Sequence, residues 1–188
     1  MSTKVVTGKV RFSYVNIKEP RAVQGGDLKY SITLLIPKSD QATMTKIRAA
    51  IQEAATAFRK KNGESSLPAK PIDPIHDGDG VKPNSGEPYG SECKGCWVIS
   101  ASADEDHRPK AFDAASNDIL DLSEVYSGCY GRAIINFYGY NNRKKGIGCG
   151  LLAVQKLQDG EALGGVAFSA DDFNDGYVDP DGGDDFLR

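Results

Sequence analysis

From Tyr126 to Tyr140 the side chains alternate with a period of two. Ser127, Cys129, Gly131, Ala133, Ile135, Phe137 and Gly139 form one row, small and apolar. Tyr126, Gly128, Tyr130, Arg132, Ile134, Asn136, Tyr138 and Tyr140 form the other. Successive Cβ atoms of a strand point to opposite sides, so this alternation predicts a β-strand with one buried face. The strand runs into Asn141-Asn142-Arg143-Lys144-Lys145-Gly146, which suits a hairpin turn, and a second strand follows towards Leu157. An apolar sheet face must be covered by another layer, so this ribbon commits the chain to a sheet-based core.

The rest of the chain supplies that layer. Residues 5–17 read as a strand, with Val6, Val10, Phe12 and Tyr14 on one face and Lys9, Arg11 and Ser13 on the other. Residues 19–27 read as a Pro/Gly loop, and 28–37 as a second strand with Leu28, Tyr30, Ile32, Leu34 and Ile36 on one side. The period then changes. Ser39 or Asp40 can cap a helix whose stripe is Met44, Ile47, Ile51, Ala54 and Phe58, with Gly63 to end it. Five of the nine prolines fall in 64–92, which predicts a long ordered loop or arm. A short strand is expected at 96–103 and another around 110–112, inside a polar, turn-rich stretch. Hydrophobic density disappears after Gly164-Gly165. The expected fold is therefore mainly β, a small barrel or sandwich with one substantial helix, over residues 1–168. An acidic, disordered tail is expected over 169–188.

Charge is split along the chain. From Asp171 onward seven aspartates face one arginine, a net of −6, while the other 170 residues hold 22 Lys+Arg against 19 Asp+Glu, a net of +3. A mildly basic body can attract polyanions, and an acidic tail can compete with them for the same surface. No apolar run has the length of a membrane span and the start MSTKVVTGKV is not a signal peptide, so a cytoplasmic protein without membrane partners is expected. In that compartment Cys93, Cys96, Cys129 and Cys149 are expected as thiols.

The outward row of the 126–140 strand is unusual: four tyrosines, an arginine and an asparagine where Lys, Glu and Thr are common. Flat rings can stack on any base, at about 1–3 kcal/mol per base, and cations can meet phosphates. Tyr126, Tyr130, Tyr138 and Tyr140 are the stacking candidates, with Trp97 as a further one. Lys9, Arg11, Arg132, Arg143, Lys144 and Lys145 are the phosphate candidates. The alternative is ordinary barrel packing, in which each tyrosine body is buried and its hydroxyl reaches water.

The stretches SEVYSGCYGRAIINFYGYNN and KKGIGCGLLAVQKLQDGEALGG resemble the C-terminal half of a phage and prophage family. HDGDG at 76–80 and KGCWVISASA at 94–103 extend the resemblance upstream. The family was long catalogued as a domain of unknown function and is now regarded as phage single-stranded-DNA-binding proteins with an OB-fold. The resemblance implies an OB-type barrel that binds single-stranded DNA through a basic, aromatic groove during phage replication or recombination, in a bacterial host cytoplasm. The end of the chain resembles the acidic tails of such proteins. Asp184, Asp185, Phe186 and Leu187 match that pattern, which implies contacts with phage or host replication and recombination proteins.

Rival chemistry is weaker. Cys93-Lys-Gly-Cys96 has the spacing of half a zinc site, but Cys129 and Cys149 offer no second pair, so no metal is expected. His76, Asp77 and Asp79 could suggest a metal-dependent nuclease, yet Asp-Gly pairs more commonly build turns. The stretch from Asp171 fails the calcium-loop pattern, with Phe173 at its third position and Gly182 at its twelfth. With no phosphate-binding loop, dinucleotide fingerprint or nucleophile constellation, neither enzyme nor cofactor is expected. A phage structural or adaptor protein that binds only protein is the competing reading. Formation of a homo-oligomer is left open.

Overall fold

A computed structural model describes residues 2–22, 26–164, 173, 174 and 176 of the chain. Eight strands and one long helix follow the order β1 (Lys4–Val6), β2 (Val10–Ala22), β3 (Leu28–Pro37), α1 (Gln41–Asn62), β4 (His76–Asp77), β5 (Cys96–Asp104), β6 (Lys110–Phe112), β7 (Tyr130–Asn141) and β8 (Lys145–Gln158). The pairing β2–β3–β5–β8–β7 closes on itself because β7 also meets β2. All these pairings are antiparallel except β5–β8. This ring is an OB-type barrel, a closed Greek key of five strands that leaves the turn between the last two exposed. β1 and β6 add short edges on β7 and β8, and β4 pairs with β5.

The strand at 28–37 and the helix match expectation. Asp40 caps α1, its carboxylate accepting the Thr43 N–H at 3.0 Å and the Thr43 hydroxyl at 2.6 Å. Met44, Ile47, Ala50 and Ala54 are buried, and Ile51 and Phe58 pack beside them. Phe58 lies over β7 at Gly139, where a Cβ would come within 2.5 Å of its ring. The barrel interior is filled by Phe12, Ile32, Leu34, Ile36, Ile99, Ile135 and Phe137.

The N-terminal strand is two strands. Thr7 is fully buried, and its hydroxyl accepts the Ala133 N–H at 3.0 Å. Gly8 N–H donates to the Thr43 hydroxyl at 2.9 Å, so the chain bends over the helix start. The bend inverts the face parity: Val5 is buried and Val6 faces out, whereas Val10 and Phe12 face in. A second irregularity follows at Tyr14, whose φ is 46°, and it too leaves the core. The expected loop at 19–27 is also corrected. β2 continues through Pro20 to Ala22, with Pro20 inside a register shift where no ladder hydrogen bond is required of it. At the other end, β7 begins at Tyr130, because Gly128 turns at φ 116° and Tyr126 lies before the strand.

The 64–92 arm is ordered. Ile72 bonds across β8, its N–H to the Lys145 carbonyl at 3.1 Å and its carbonyl to the Ile147 N–H at 3.0 Å. Lys38 is held by Asp77 at 2.6 Å and Asp79 at 2.7 Å, and Asp79 also accepts the Gly95 N–H. The acidic HDGDG loop therefore serves as a latch on β3. Among the described residues no helix is long and apolar enough to cross a membrane.

Candidate nucleic-acid interface

β7 carries the expected alternation. Gly131, Ala133, Ile135 and Phe137 are buried, while Arg132 and Tyr138 are exposed and Tyr130, Ile134, Asn136 and Tyr140 are half-buried. Its partner β8 places glycines opposite the outward rings: Tyr138 faces Gly148, Tyr140 faces Gly146, and Asn136 faces Gly150. A Cβ on Gly148 would lie 2.6 Å from the Tyr138 ring, and one on Gly146 would lie 2.7 Å from the Tyr140 hydroxyl. The far end of the Tyr138 ring thus lies over the backbone of β8 at Gly148, with 43% of the residue still exposed. Burial of part of the ring pushes the Tyr138 phenol above its usual pKa, so it stays neutral.

A trough continues from this ring across the barrel. Asn16, Ser31, Ser102, Gly150 and Asn136 are successive register partners across β2, β3, β5, β8 and β7. Ser13, Thr33 and Ser100 form a parallel row beside them. Small side chains at these positions keep the floor low. Three adjoining hollows mark its length. The first joins Tyr138 and Asn136 to Lys29 and Ser102, and the second joins Lys29 and Ser102 to Thr33 and Ser100. The third joins Thr33 and Ser100 to Tyr14 and Lys82. Tyr14 is 66% exposed, and its left-handed backbone costs about 1–2 kcal/mol for a residue with a Cβ. That strain turns a ring expected in the core towards the trough.

The remaining sequence candidates separate into groups. Arg143, Lys144 and Lys145 are exposed at the β7–β8 turn, next to Tyr140. Lys9 and Arg11 flank Tyr130, 5.4 and 5.5 Å from its ring centroid, at the opposite end of β7. Eight residues of strand separate Tyr130 from Tyr138, about 26 Å. Arg11 is also tied to the Gly128 and Glu161 carbonyls, and Lys9 to the Gln158 amide oxygen. Arg132 donates from Nε to the Thr7 carbonyl at 2.8 Å.

Trp97 and Tyr126 lie apart from the trough. Trp97 shares the parity of the buried Ile99 and Ala101, and sits against the core with Lys38 and Arg48 over its ring at 4.8 and 5.4 Å. Tyr126 packs on the core, and its hydroxyl bonds Asp159 and Gly160, while Lys156 lies 5.1 Å from its ring. Asp184, Asp185, Phe186 and Leu187 fall outside the described residues. The four cysteines are free thiols; burial pushes Cys93 up to about 11 and Cys149 up to about 12. Among the described residues no three His, Cys, Asp or Glu side chains gather in a group that could hold a metal ion.

Tyr14, Lys29, Ser31, Thr33, Lys82, Ser100 and Ser102 were not singled out by the sequence. For Lys29, Ser31, Thr33, Ser100 and Ser102 the signal was present as the polar parity of 28–37 and 96–103, but a polar row reads as an ordinary solvent face until the strands are joined; Tyr14 and Lys82 carried no such signal.

An OB barrel with an aromatic, cationic trough across its middle strands belongs to the class whose strand faces and loops bind oligonucleotides and oligosaccharides. The comparisons narrow the class. The family model described as the Enterobacter phage Enc34 single-stranded-DNA-binding protein matches residues 3–187, and the chain belongs to that family. Protein p50 of Acyrthosiphon pisum secondary endosymbiont phage 1 is 31% identical over 183 residues, 92% of this chain and 93% of that protein. The bacteriophage Enc34 single-stranded-DNA-binding protein, solved in complex with single-stranded DNA, is 31% identical with a TM-score of 0.66, over 86% of this chain and 90% of that one. Bacteriophage T7 gp2.5, another single-stranded-DNA-binding protein, shares the fold at 15% identity and a TM-score of 0.57, covering 97% of this chain and 98% of its own.

Proposed function

We propose that this protein binds single-stranded DNA in the trough between Tyr138 and Tyr14, without strong sequence preference, and has no enzymatic role. The observation that carries the reading is the low hydroxyl-lined floor with the Tyr138 ring over Gly148 at one end and the exposed Tyr14 ring at the other. Rings accept every base, so the trough selects unpaired strands rather than sequences. Tyr138 and Tyr140 supply stacking at the hairpin end, and Arg143, Lys144 and Lys145 meet phosphates there. Lys29 and Lys82 neutralise phosphates along the trough. Tyr130, Lys9 and Arg11 extend the path along β7, and Arg132 lies on that route.

Family membership supports a setting in phage replication or recombination, in the cytoplasm of a bacterial host. The acidic tail competes with DNA for the trough and, once displaced, presents Phe186 and Leu187 to replication or recombination proteins. The test is a fluorescence-anisotropy titration of labelled poly-dT at two salt concentrations, with the full chain and a chain ending at Ser169. The reading expects salt-sensitive binding, with a slope of about −0.7 per phosphate neutralised, that tightens on truncation. Absence of binding by folded protein would overturn it and favour an adaptor that binds only protein.

A further inference from the structure

The outward face of the β1–β7–β8–β6 edge should be polar, since the barrel interior lies on its other side. It is not. Val6, Phe112, Ile134 and Ala153 line a cavity of about 280 Å³ there, with Arg132 and Gln155 at its rim. The hollow exists because Ala153 stands in register with Ile134 and leaves a small side chain between larger ones. Val6 is 38% exposed at its edge.

Both rim groups are held in place. Nε of Arg132 donates to the Thr7 carbonyl at 2.8 Å, which leaves its terminal nitrogens as donors. Among the described residues no carboxylate pairs with this guanidinium. Nε2 of Gln155 donates to the Asp113 carbonyl at 3.2 Å and to the Ser116 hydroxyl at 3.4 Å, which leaves Oε1 as an acceptor. The Asp113 carboxylate is itself occupied by the Ala115 and Asn117 N–H groups. Arg132 and Gln155 are register partners across β7 and β8, so an apolar chamber carries a fork of donors beside one acceptor.

We propose that this cavity receives one nucleobase turned out of the bound strand, its faces on Phe112 and Ile134 and its pairing edge on Arg132 and Gln155. The proposal rests on the reading of the trough as a single-strand site and adds a second kind of contact to it. The volume suits one heterocycle rather than a larger ligand. The pairing edge of every base sets a donor beside an acceptor, so the rim can meet any of the four. The cavity also continues the trough. Ile134 and Asn136 are two residues apart on one face of β7, about 7 Å. Asn136 accepts the Thr3 hydroxyl at 2.8 Å through Oδ1, which leaves its amide nitrogen as a donor. On β1, exposed Lys4 stands in register with Asn136, and Val6 with Ile134. An ammonium therefore borders the step from trough to cavity, where the phosphate of a crossing strand must pass.

The consequence is specific. Rings in the trough engage the faces of bases and leave their pairing edges free. A base held by its pairing edge cannot pair, so the cavity keeps the strand from folding back on itself while it is bound.

The test uses poly-dT in which scattered thymines are replaced by 5-iododeoxyuridine. The complex with the full chain is irradiated and crosslinked peptides are mapped by mass spectrometry. A crosslink is expected at Phe112, on a strand that carries no trough residue. Val6→Asp and Ala153→Leu should each remove it, while crosslinks to Tyr138 persist. In anisotropy each variant should weaken poly-dT binding about fivefold, and the two together no further. A DNA hairpin should melt at a higher temperature with Val6→Asp protein than with the unsubstituted chain. A Phe112 crosslink that survives both variants would overturn the proposal and leave the trough reading standing. So would crosslinks confined to the trough, with poly-dT affinity unchanged by either variant. Folded protein without poly-dT affinity would remove both readings. A dimer that Val6→Asp dissociates, with Phe112 never crosslinked, would assign the cavity to a second copy of the chain instead.

Discussion

Adding one methyl group at Gly148 tests whether the Tyr138 ring is a stacking platform. The new Cβ of Gly148→Ala would meet Tyr138 ring atoms at 2.6, 2.7 and 2.8 Å. These atoms are the far end of a side chain that is 43% exposed, so the ring can lift away without moving backbone. The stability cost should stay below about 1 kcal/mol. Stacking on one ring is worth about 1–3 kcal/mol, or about 5- to 150-fold in Kd. Tyr138→Ala should lose most of that. A lifted ring keeps part of it, so Gly148→Ala should weaken poly-dT binding about five- to tenfold. The double variant should bind no worse than Tyr138→Ala alone, because both changes act through one ring. Anisotropy titrations with thermal unfolding of all four proteins check this. If Gly148→Ala weakens binding equally in the Tyr138→Ala background, or if neither change matters in folded protein, the platform argument fails.

Ser102→Trp fills the trough floor between Lys29 and Gly150 and should reduce poly-dT affinity at least about tenfold, with normal unfolding temperature as the control. The Lys38 latch should loosen in acid. Hydrogen bonds from Lys38 hold Asp77 and Asp79 below their ordinary 3.8, so their contribution is present above that pH and lost as pH falls through the lowered values. The same bonds raise Lys38, whose contribution is complete below its ordinary 10.5 and lost as pH rises through the raised value. Hydrogen exchange at Gly95 should therefore accelerate below about pH 4, and Lys38→Met should weaken that dependence without removing it, because the Gly95 N–H still bonds the Asp79 carboxylate. Cys149, pushed up to about 12 by burial, should resist iodoacetamide at pH 8 in the folded protein and react once it is unfolded.

Local patterns in this chain were legible where a single element obeyed a single period. The helix had a cap at Ser39 or Asp40, a stripe and a terminating glycine; the structure chooses Asp40 and realises the other two. The strand that became β7 had strict parity, and every inward residue of β7 through Phe137 is buried. The N-terminal strand was misread because its parity is interrupted twice by partners far away in sequence. Gly8 bends to meet Thr43 of α1, and Tyr14 takes a backbone conformation that only the bulged pairing with β3 explains. The continuation of β2 through Pro20 was hidden for a related reason: a proline ends a strand unless a register shift exempts it from the ladder.

The sequence by itself determined that the chain builds a mainly β core with one helix, that its last hairpin turns an aromatic face outward, and that acidic charge is concentrated after residue 170. These follow from short-range periodicity and composition. Only the tertiary structure decided which polar residues form one surface. Ser31, Ser102 and Asn136 lie far apart along the chain and become neighbours because β5 pairs with both β3 and β8 while β7 closes the ring. The same closure separated Trp97 and Tyr126 from the rings that share the trough. Strand pairing between distant segments is set by global packing, and no window of sequence contains it.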